Sequence, residues 1–210
     1  MNSLTEVKQS KVDAIDTIEI YFYRYFISPS KQGFLSRSIY DYHRCFGIDD
    51  VIATHCNLRL GDTVYEISLE GTTALPYDEV ALDEDNLIAY YSCDLTQLPI
   101  ETRHMARFIL DREVLDNRKL NWRDCMRYLC SWLAYLMRPS NIRFKSDFGI
   151  KSATISKGKF HLPYTCATQA AYTLSRLFGV EISFDSHLPT TIVYICDYLE
   201  SIGIGALMEV

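Results

Sequence analysis

Two β-rich runs, 51–60 and 63–69, flank the dipeptide Gly61-Asp62 and predict a β-hairpin. A two-residue loop with glycine first is typical of a type II′ turn, and Gly71 closes the second run. Because side chains alternate along a strand, the hairpin has one polar and one apolar face. The polar face carries His55, Asn57, Glu66 and Ser68. The apolar face carries Cys56, Leu58, Tyr65, Ile67 and Leu69.

A histidine beside a carboxylate is what an oriented general base needs. His55 and Glu66 are diagonal neighbours across the hairpin, within reach of their side chains. The carboxylate would fix the imidazole tautomer and favour its protonated form. The residues leave the third member of such a site open among Glu66, Ser68 and Asn57. An ordinary solvated sheet face is the alternative interpretation of the same residues.

A cysteine at the beginning of a helix is the second candidate for chemistry. Cys166 follows Pro163 and begins an apolar-patterned run that ends before Gly179, a residue type suited to the C′ position. Unpaired N–H groups and the helix dipole stabilise a thiolate there, and the same N–H groups can bind an oxyanion. The alternative is a small apolar side chain buried in the first turn of a core helix.

The other histidines and cysteines give weaker signals. His161 lies five residues before Cys166 and is a rival partner for its thiol. We expect His104 to be solvated on a helix, and His43 and His187 to lie in loops or at helix ends. The number of cysteines is odd and they are scattered through apolar stretches, so we expect reduced thiols. No CxxC pair and no second ligand pair at zinc spacing occur, so we expect no metal site. The seven are Cys45, Cys56, Cys93, Cys125, Cys130, Cys166 and Cys196.

Composition narrows the class of protein. The chain has 210 residues, of which 48% are hydrophobic and 23% charged, as in globular proteins. The net charge of −6 and the lack of a basic run argue against a nucleic-acid groove. The apolar stretch 128–137 is about half of a membrane span, and the polar N-terminus lacks a signal-peptide core. We therefore expect cytoplasmic synthesis without a cleaved signal, no membrane span and no nucleotide cofactor.

The remaining periodicity predicts a single α+β domain over 1–210, with a small antiparallel sheet packed on about five helices. The core covers about 16–93 and 150–203, and a helical insertion covers about 99–138. Strands are predicted at 16–26 and 87–93, a small hairpin at 153–162, a surface loop at 78–85, and a final strand or docking tail after 202. Helices are predicted at 34–45, 99–115, 122–137, 165–178 and 189–202. Met105, Phe108, Ile109 and Leu115 have helical spacing in 99–115, and Ile192, Ile195, Leu199 and Ile202 are expected to face inward.

The order of these features resembles that of a known family, the circularly permuted branch of the NlpC-type papain-like cysteine hydrolases. That branch includes the lecithin:retinol acyltransferase-like enzymes. THCNLRLGDTVYEISLEG (54–71) is similar to the family's histidine strand, turn and second strand. GFLSRSIYDYH (33–43) is similar to the amphipathic stretch before it, and YTCATQAAYTL (164–174) to the nucleophile helix. The resemblance covers under a third of the chain.

The resemblance implies a permuted papain-like fold and acyl transfer through a thioester, without metal or cofactor. Cys166 would be the nucleophile, His55 would take its proton, and Glu66 would orient His55. The substrate would be a peptide, a peptidoglycan stem peptide or an acyl ester, with peptidoglycan first by analogy with bacterial and phage relatives. Cys56, directly after the histidine, departs from the small or aromatic residue usual there.

The alternative is a non-catalytic structural or interaction protein that keeps the fold within a larger assembly, such as a virus particle. The 15 tyrosines and the helical insertion 99–138 favour it. The two hypotheses differ in geometry. The enzyme requires contact between the Cys166 sulfur and a His55 ring nitrogen, with an opening to solvent, whereas the alternative permits a buried Cys166 or a His55 that faces elsewhere.

Overall fold

The computed structural model describes residues 15–25, 36–37, 39–41, 44, 51–68, 70–120, 164–182 and 188–210. This part of the chain is α+β, as predicted, with an antiparallel sheet packed against helices. The strands are β1 (Thr17–Tyr23), β2 (His55–Leu60), β3 (Thr63–Ile67), β4 (Thr72–Pro76), β5 (Leu87–Asp94) and β6 (Ala206–Glu209). The helices are α1 (Ile100–Leu115), α2 (Cys166–Phe178) and α3 (Pro189–Ser201), with a short 3₁₀ helix at Tyr77–Glu79.

The six strands lie in the order β4-β3-β2-β1-β5-β6, and every neighbouring pair is antiparallel. The β2–β3 hairpin has the predicted register, with Leu60 opposite Thr63 and Leu58 opposite Tyr65. Gly61 has a φ of +63°, and Asp62 does not share its positive sign, as a type II′ turn requires. The sequence rules for this hairpin therefore predicted its geometry, including which side chains share a face.

The apolar face of the sheet and the three helices form one core. Alternate residues of β1 and β2 are buried there, and side chains of α2 and α3 cover them. The sheet contributes Ile18, Ile20, Phe22, Cys56, Leu58 and Leu60, and the helices contribute Ala170, Leu174, Ile192 and Leu199 among others. Each fully buried Leu or Ile contributes about 1.5–3 kcal/mol to folding, so this layer fixes where α2 begins relative to β2.

Local signals account for the bounds of α2. Thr165 is its N-cap, and the Thr165 hydroxyl accepts a hydrogen bond from Thr168 N at 3.1 Å. Gly179 ends the helix in the left-handed conformation, with a φ of +71°. Cys166 is therefore the first residue of the helix, as the sequence predicted.

The helix predicted at 99–115 is present as α1, but most of the apolar residues whose spacing indicated it do not face the core. Met105, Phe108 and Leu115 are largely exposed, whereas Ala106 and Leu110 face the core. Polar contacts hold α1 against the sheet, and a hydrophobic pattern does not detect them. Tyr65 donates a hydrogen bond to Asp111 at 2.6 Å, and Arg103 lies 2.8 Å from Asp16.

Smaller differences concern other elements. Strand β4 was not predicted, because Thr72–Pro76 is a short edge strand without clear alternation. In α3 the residues Ile192, Ile195 and Leu199 are buried as expected, but Ile202 is exposed. The C-terminal segment forms a strand, β6. The predicted helix 122–137 and hairpin 153–162 lie outside the described residues, as does half of the predicted helix 34–45. The described residues of that segment, 36–37, 39–41 and 44, are helical, as predicted. Among the described helices, none has both the length and the apolar character to span a membrane.

Candidate active site

The N-terminus of α2 meets the beginning of β2, and this contact joins the two residues singled out for chemistry. His55 is the first residue of β2 and Cys166 the first of α2. The helix packs against this strand, and each of the two side chains shifts the pKa of the other through its charge and through hydrogen bonding. Cys166 is partly exposed, and the His55 side chain keeps 19% of its surface exposed. The two side chains are therefore close enough to perturb each other's pKa, and neither residue is fully excluded from solvent.

Asn57 holds the other nitrogen of the His55 ring. The Nε2 atom of His55 lies 2.8 Å from Asn57 Oδ1. An amide oxygen only accepts hydrogen bonds, so Nε2 carries the proton. Nδ1 is then the nitrogen available to the Cys166 thiol. Asn57 thus fixes the tautomer that a general base facing Cys166 must have.

Glu66 and Ser68, the other two residues considered for this role, have different surroundings. Glu66 Oε1 lies 4.0 Å from His55 Nε2, beyond hydrogen-bonding distance, and its side chain is 48% exposed. It acts on the ring as a nearby charge. The Ser68 hydroxyl donates to Gly71 O at 3.1 Å and accepts from Glu70 N, so it stabilises the β3–β4 turn.

The electrostatics of the contact favour a thiolate–imidazolium pair. A hydrogen bond from the Cys56 thiol and the charge of His55 hold the pKa of Cys166 well below its ordinary value, although burial opposes them. Burial lowers the pKa of His55, but the Cys166 thiolate, Glu66 and Asn57 outweigh it, so the net shift is upward. The pKa of Cys56 is raised by its hydrogen bond with Cys166 and by burial, so its thiol stays protonated and donates.

The role of Cys56 follows from where the β2–β3 ladder ends. Gly61 N donates to Thr17 O on β1, whereas Leu58 and Leu60 pair with β3. By alternation the backbone of Cys56 also points toward the β3 side, but the paired register stops at Leu58. The Cys56 N–H therefore lies beyond the paired register, and hydrogen bonding from this group and from the Cys56 thiol lowers the pKa of Cys166. In the sequence, Cys56 is recognisable only as a departure from a family pattern, because alternation places its side chain on the opposite face from His55.

Two tyrosines pack against the His55 ring. The centroids of Tyr23 and Tyr25 lie 6.2 and 5.9 Å from that of His55, and the two phenol rings stack at 5.6 Å. Burial raises the pKa of both tyrosines, so both are neutral. This packing restricts rotation of the imidazole without adding charge.

The segment that enters β2 is fixed from both sides. The hydroxyl of Thr190, in the first turn of α3, accepts from Ala53 N at 3.1 Å and donates to Ala53 O at 3.0 Å. Thr54 N donates to Tyr23 O at 2.8 Å. His55 therefore begins a strand whose preceding residues cannot shift independently of α3 and β1.

The first turn of α2 supplies backbone donors beside the sulfur. The Thr165 side chain binds Thr168 N, and Gln169 N donates to the Thr165 carbonyl. The N–H groups of Cys166 and Ala167 have no earlier helical turn to bind, as at every helix N-terminus. A group bound at the sulfur would meet these donors, which suit a developing oxyanion.

The other candidates do not join this site. His104 is exposed on α1, as expected, and His43, His161 and His187 lie outside the described residues. Cys56, Cys93, Cys166 and Cys196 are free thiols. In the part of the chain that the structure describes, no three His, Cys, Asp or Glu side chains converge as metal ligands would.

Comparison with known proteins found no match to this chain among protein-family models, curated proteins or solved structures.

Proposed function

We propose that this protein is a cysteine hydrolase that opens an amide or ester bond through a thioester on Cys166. The observation that carries the proposal is the contact between Cys166, at the N-terminus of α2, and a His55 ring whose far nitrogen is held by Asn57. A nucleophile, its proton carrier and an orienting group in this sequence of contacts are the parts that acyl transfer needs.

The resting state is the thiolate–imidazolium pair. The Cys166 thiolate attacks the substrate carbonyl carbon, and the N–H groups at the beginning of α2 bind the oxyanion that forms. When this intermediate collapses, the bond to the leaving amine or alcohol breaks and the His55 imidazolium protonates that group. The products of this half-reaction are the free amine or alcohol, a Cys166 thioester and a neutral His55.

Water completes the cycle. Neutral His55 takes a proton from a water molecule as its oxygen attacks the thioester carbonyl. Collapse of the second intermediate breaks the carbon–sulfur bond and releases the carboxylic acid. This step restores both the Cys166 thiolate and the His55 imidazolium. Asn57 keeps the ring oriented throughout, since its Oδ1 accepts from the Nε2 proton in every state of the ring.

The chain order supports a more specific proposal. The histidine strand precedes the nucleophile helix, which resembles the permuted branch of the NlpC-type papain-like hydrolases. By that resemblance the first substrate to test is a peptidoglycan stem peptide, followed by other peptide amides and acyl esters. The resemblance alone supports this ranking.

The test is capture of the acyl-enzyme. The protein is mixed with peptidoglycan fragments, peptide amides and aryl or lipid esters, quenched in acid and analysed by intact mass. We expect a substrate-derived adduct on the Cys166 peptide that hydroxylamine removes. Cys166→Ala should form none, and Cys93→Ser is the matched control that should form it normally. An adduct that persists in Cys166→Ala, or no turnover of any substrate class, contradicts the proposal.

A non-catalytic component of a larger assembly, such as a virus particle, is the second candidate. The observation that favours it is the exposed apolar stripe of α1, formed by Met105, Phe108 and Leu115. Under this candidate the Cys166 thiol alkylates no faster than an ordinary cysteine, and its rate does not respond to changes at His55.

A further inference from the structure

A buried hydroxyl on α3 holds the main chain two residues before His55. Thr190 Oγ1 accepts a hydrogen bond from Ala53 N at 3.1 Å and donates one to Ala53 O at 3.0 Å. Both residues are fully buried. In an antiparallel sheet, a residue exchanges the same two bonds with its partner on the next strand. The Thr190 side chain therefore takes the place of a neighbouring strand for Ala53.

Ala53 lies where the pairing of β2 has not yet begun. The register of β2 with β1 starts at His55, and its register with β3 reaches only to Leu58. Contacts outside these ladders hold the residues that precede β2. Thr54 N donates to Tyr23 O at 2.8 Å, which attaches the segment to β1. The two bonds of Ala53 attach it to α3, and together these contacts set the direction in which β2 begins.

The same helix also packs against the element that carries the nucleophile. Side chains of α2 and α3 share one core cluster, in which Leu174 of α2 and Ile192 of α3 are both fully buried. Helix α3 thus contacts the helix that begins at Cys166 and binds the segment that leads into His55. The relative position of the two reactive residues therefore depends on one helix. A displacement of about 1 Å can cost about 100-fold in rate, so this dependence matters for catalysis.

We infer that Thr190 is a positioning residue for the proposed acyl transfer, and that its hydroxyl acts through the Ala53 main chain to set where His55 lies relative to Cys166. The inference rests on the proposed function and adds to it a residue from a third element of the fold. Thr190 acts through the chain that carries the imidazole, and the substrate does not have to touch it.

Loss of the hydroxyl has a direct structural consequence. The N–H and C=O groups of Ala53 are buried, and a buried amide without a hydrogen-bond partner is unfavourable. We expect the main chain to shift until water or another group binds it, and His55, two residues further along, moves with it. The imidazole and the thiol would then be misaligned, although every residue of the candidate site is still present.

Three substitutions separate the hydroxyl from the packing around it. Thr190→Val keeps the shape of the side chain without the hydroxyl, Thr190→Ser keeps the hydroxyl without the methyl group, and Thr190→Ala removes both. Thr190→Ala leaves room for water at Ala53 and serves if the valine variant does not fold. Thr173→Val is the matched control, because Thr173 is also buried but its hydroxyl donates to Gln169 O at 2.9 Å, within α2 itself.

The measurement is the iodoacetamide rate of Cys166 against pH, followed on peptide 160–176, with urea denaturation to confirm that each variant is folded. In Thr190→Val and Thr190→Ala we expect the rate near pH 6 to fall about 3- to 10-fold and the onset of reactivity to move to higher pH. Thr190→Ser and Thr173→Val should stay within about twofold of the wild type. A hydrogen bond that only stabilised the fold would lower the urea midpoint and leave the pH profile of the folded protein unchanged.

The outcomes separate this inference from the proposed function. If the wild-type Cys166 thiol reacts like an ordinary cysteine, or its rate does not depend on His55, both fail. If the thiol is reactive and depends on His55, but a folded variant without the Thr190 hydroxyl keeps the wild-type profile, the inference fails and the proposed function stands. The same conclusion follows if Thr190→Ser or Thr173→Val shifts the profile as far as Thr190→Val, because the effect would then not come from the hydroxyl bound to Ala53.

Discussion

The two ends of β2 carry polar residues on the same face of the sheet but use them differently. Near the turn, Arg59 lies 2.8 Å from Glu19 and its guanidinium sits 3.6 Å above the Tyr77 ring. The neighbouring backbone is paired with β1 and β3. At the other end, His55 binds Asn57, and Cys56 lies beyond the paired β2–β3 register, where its thiol and N–H lower the pKa of Cys166.

The contrast between the two ends of β2 indicates where a hairpin can become reactive. At the turn end the backbone is paired and the charge of Arg59 is balanced by Glu19. This ion pair therefore contributes only to stability. At the open end the ladder has stopped, and a backbone donor and an imidazole face the N-terminus of another element. The same alternation of polar side chains thus produces a structural cluster at one end and a candidate site at the other. Four substitutions and one pH profile test this contrast, in order from the largest expected effect at the candidate site to the smallest.

His55→Ala should have the largest effect. Loss of the imidazolium raises the Cys166 pKa toward the ordinary value of about 8.5, so the alkylation rate near pH 6 should fall about 10- to 100-fold. The measurement is the iodoacetamide rate against pH, followed on peptide 160–176 by mass spectrometry. His104→Ala, which changes an exposed histidine on α1, is the control. Equal alkylation rates in the wild type and His55→Ala would contradict the assignment of a Cys166 thiolate–His55 imidazolium pair.

The signs of the two pKa shifts also fix the pH profile of hydrolysis. A lowered Cys166 pKa provides thiolate at pH values below about 8.5, and a raised His55 pKa retains the imidazolium above about 6.5. Activity should therefore rise through the Cys166 pKa on the acid side and fall through the His55 pKa on the alkaline side, as a bell. In His55→Ala we expect the alkaline decline to vanish.

Asn57→Ala should come next, because it frees the His55 ring to turn and to change tautomer. We expect kcat/KM to fall about 10- to 100-fold. Glu66→Gln is the paired comparison, since it removes a charge that is half exposed and 4.0 Å away. Its effect should stay within about twofold. A larger loss in Glu66→Gln than in Asn57→Ala would reverse the assignment of the orienting residue.

Cys56→Ala should shift Cys166 reactivity more modestly, by a few-fold near pH 6, because it removes the thiol donor but leaves the backbone N–H in place. Cys56→Ser keeps a donor of similar size and should recover much of that loss. Urea denaturation checks that both variants fold, and a cost of about 1 kcal/mol is expected for the alanine cavity. Unchanged onset pH in Cys56→Ala would remove Cys56 from the site.

Arg59→Ala tests the other end of β2 and should leave Cys166 alkylation unchanged. It removes the partner of Glu19 and the cation above Tyr77. Glu19 would retain the hydrogen bond from Tyr21. We expect the free energy of unfolding to fall by about 1–3 kcal/mol in urea titration. A change in the alkylation profile at full folding would mean that the two ends of β2 are coupled, which contradicts the contrast drawn above.

The sequence predicted what local rules govern. Alternation and the glycine-first turn set the hairpin register and the shared face of His55 and Asn57, and the N-cap and Gly179 set the bounds of α2. The sequence could not predict whether Asn57 or Glu66 orients the His55 ring, because the answer depends on about 1 Å of side-chain placement. The donors of Cys56 were missed for a different reason. They depend on where a strand ladder stops and on which distant element fills the gap.

The two hydrogen bonds between the Ala53 backbone and the Thr190 hydroxyl have a consequence for protein synthesis. These residues are 137 positions apart, and Cys166 leaves the ribosome before Thr190 does. Until Thr190 emerges, the segment before β2 lacks its partner on α3, and His55 is not yet held beside the sulfur. Between the synthesis of Cys166 and the emergence of Thr190, we therefore expect an ordinary thiol at position 166. We therefore expect the reactivity of the proposed nucleophile to develop only after α3 has packed beside the segment that enters β2.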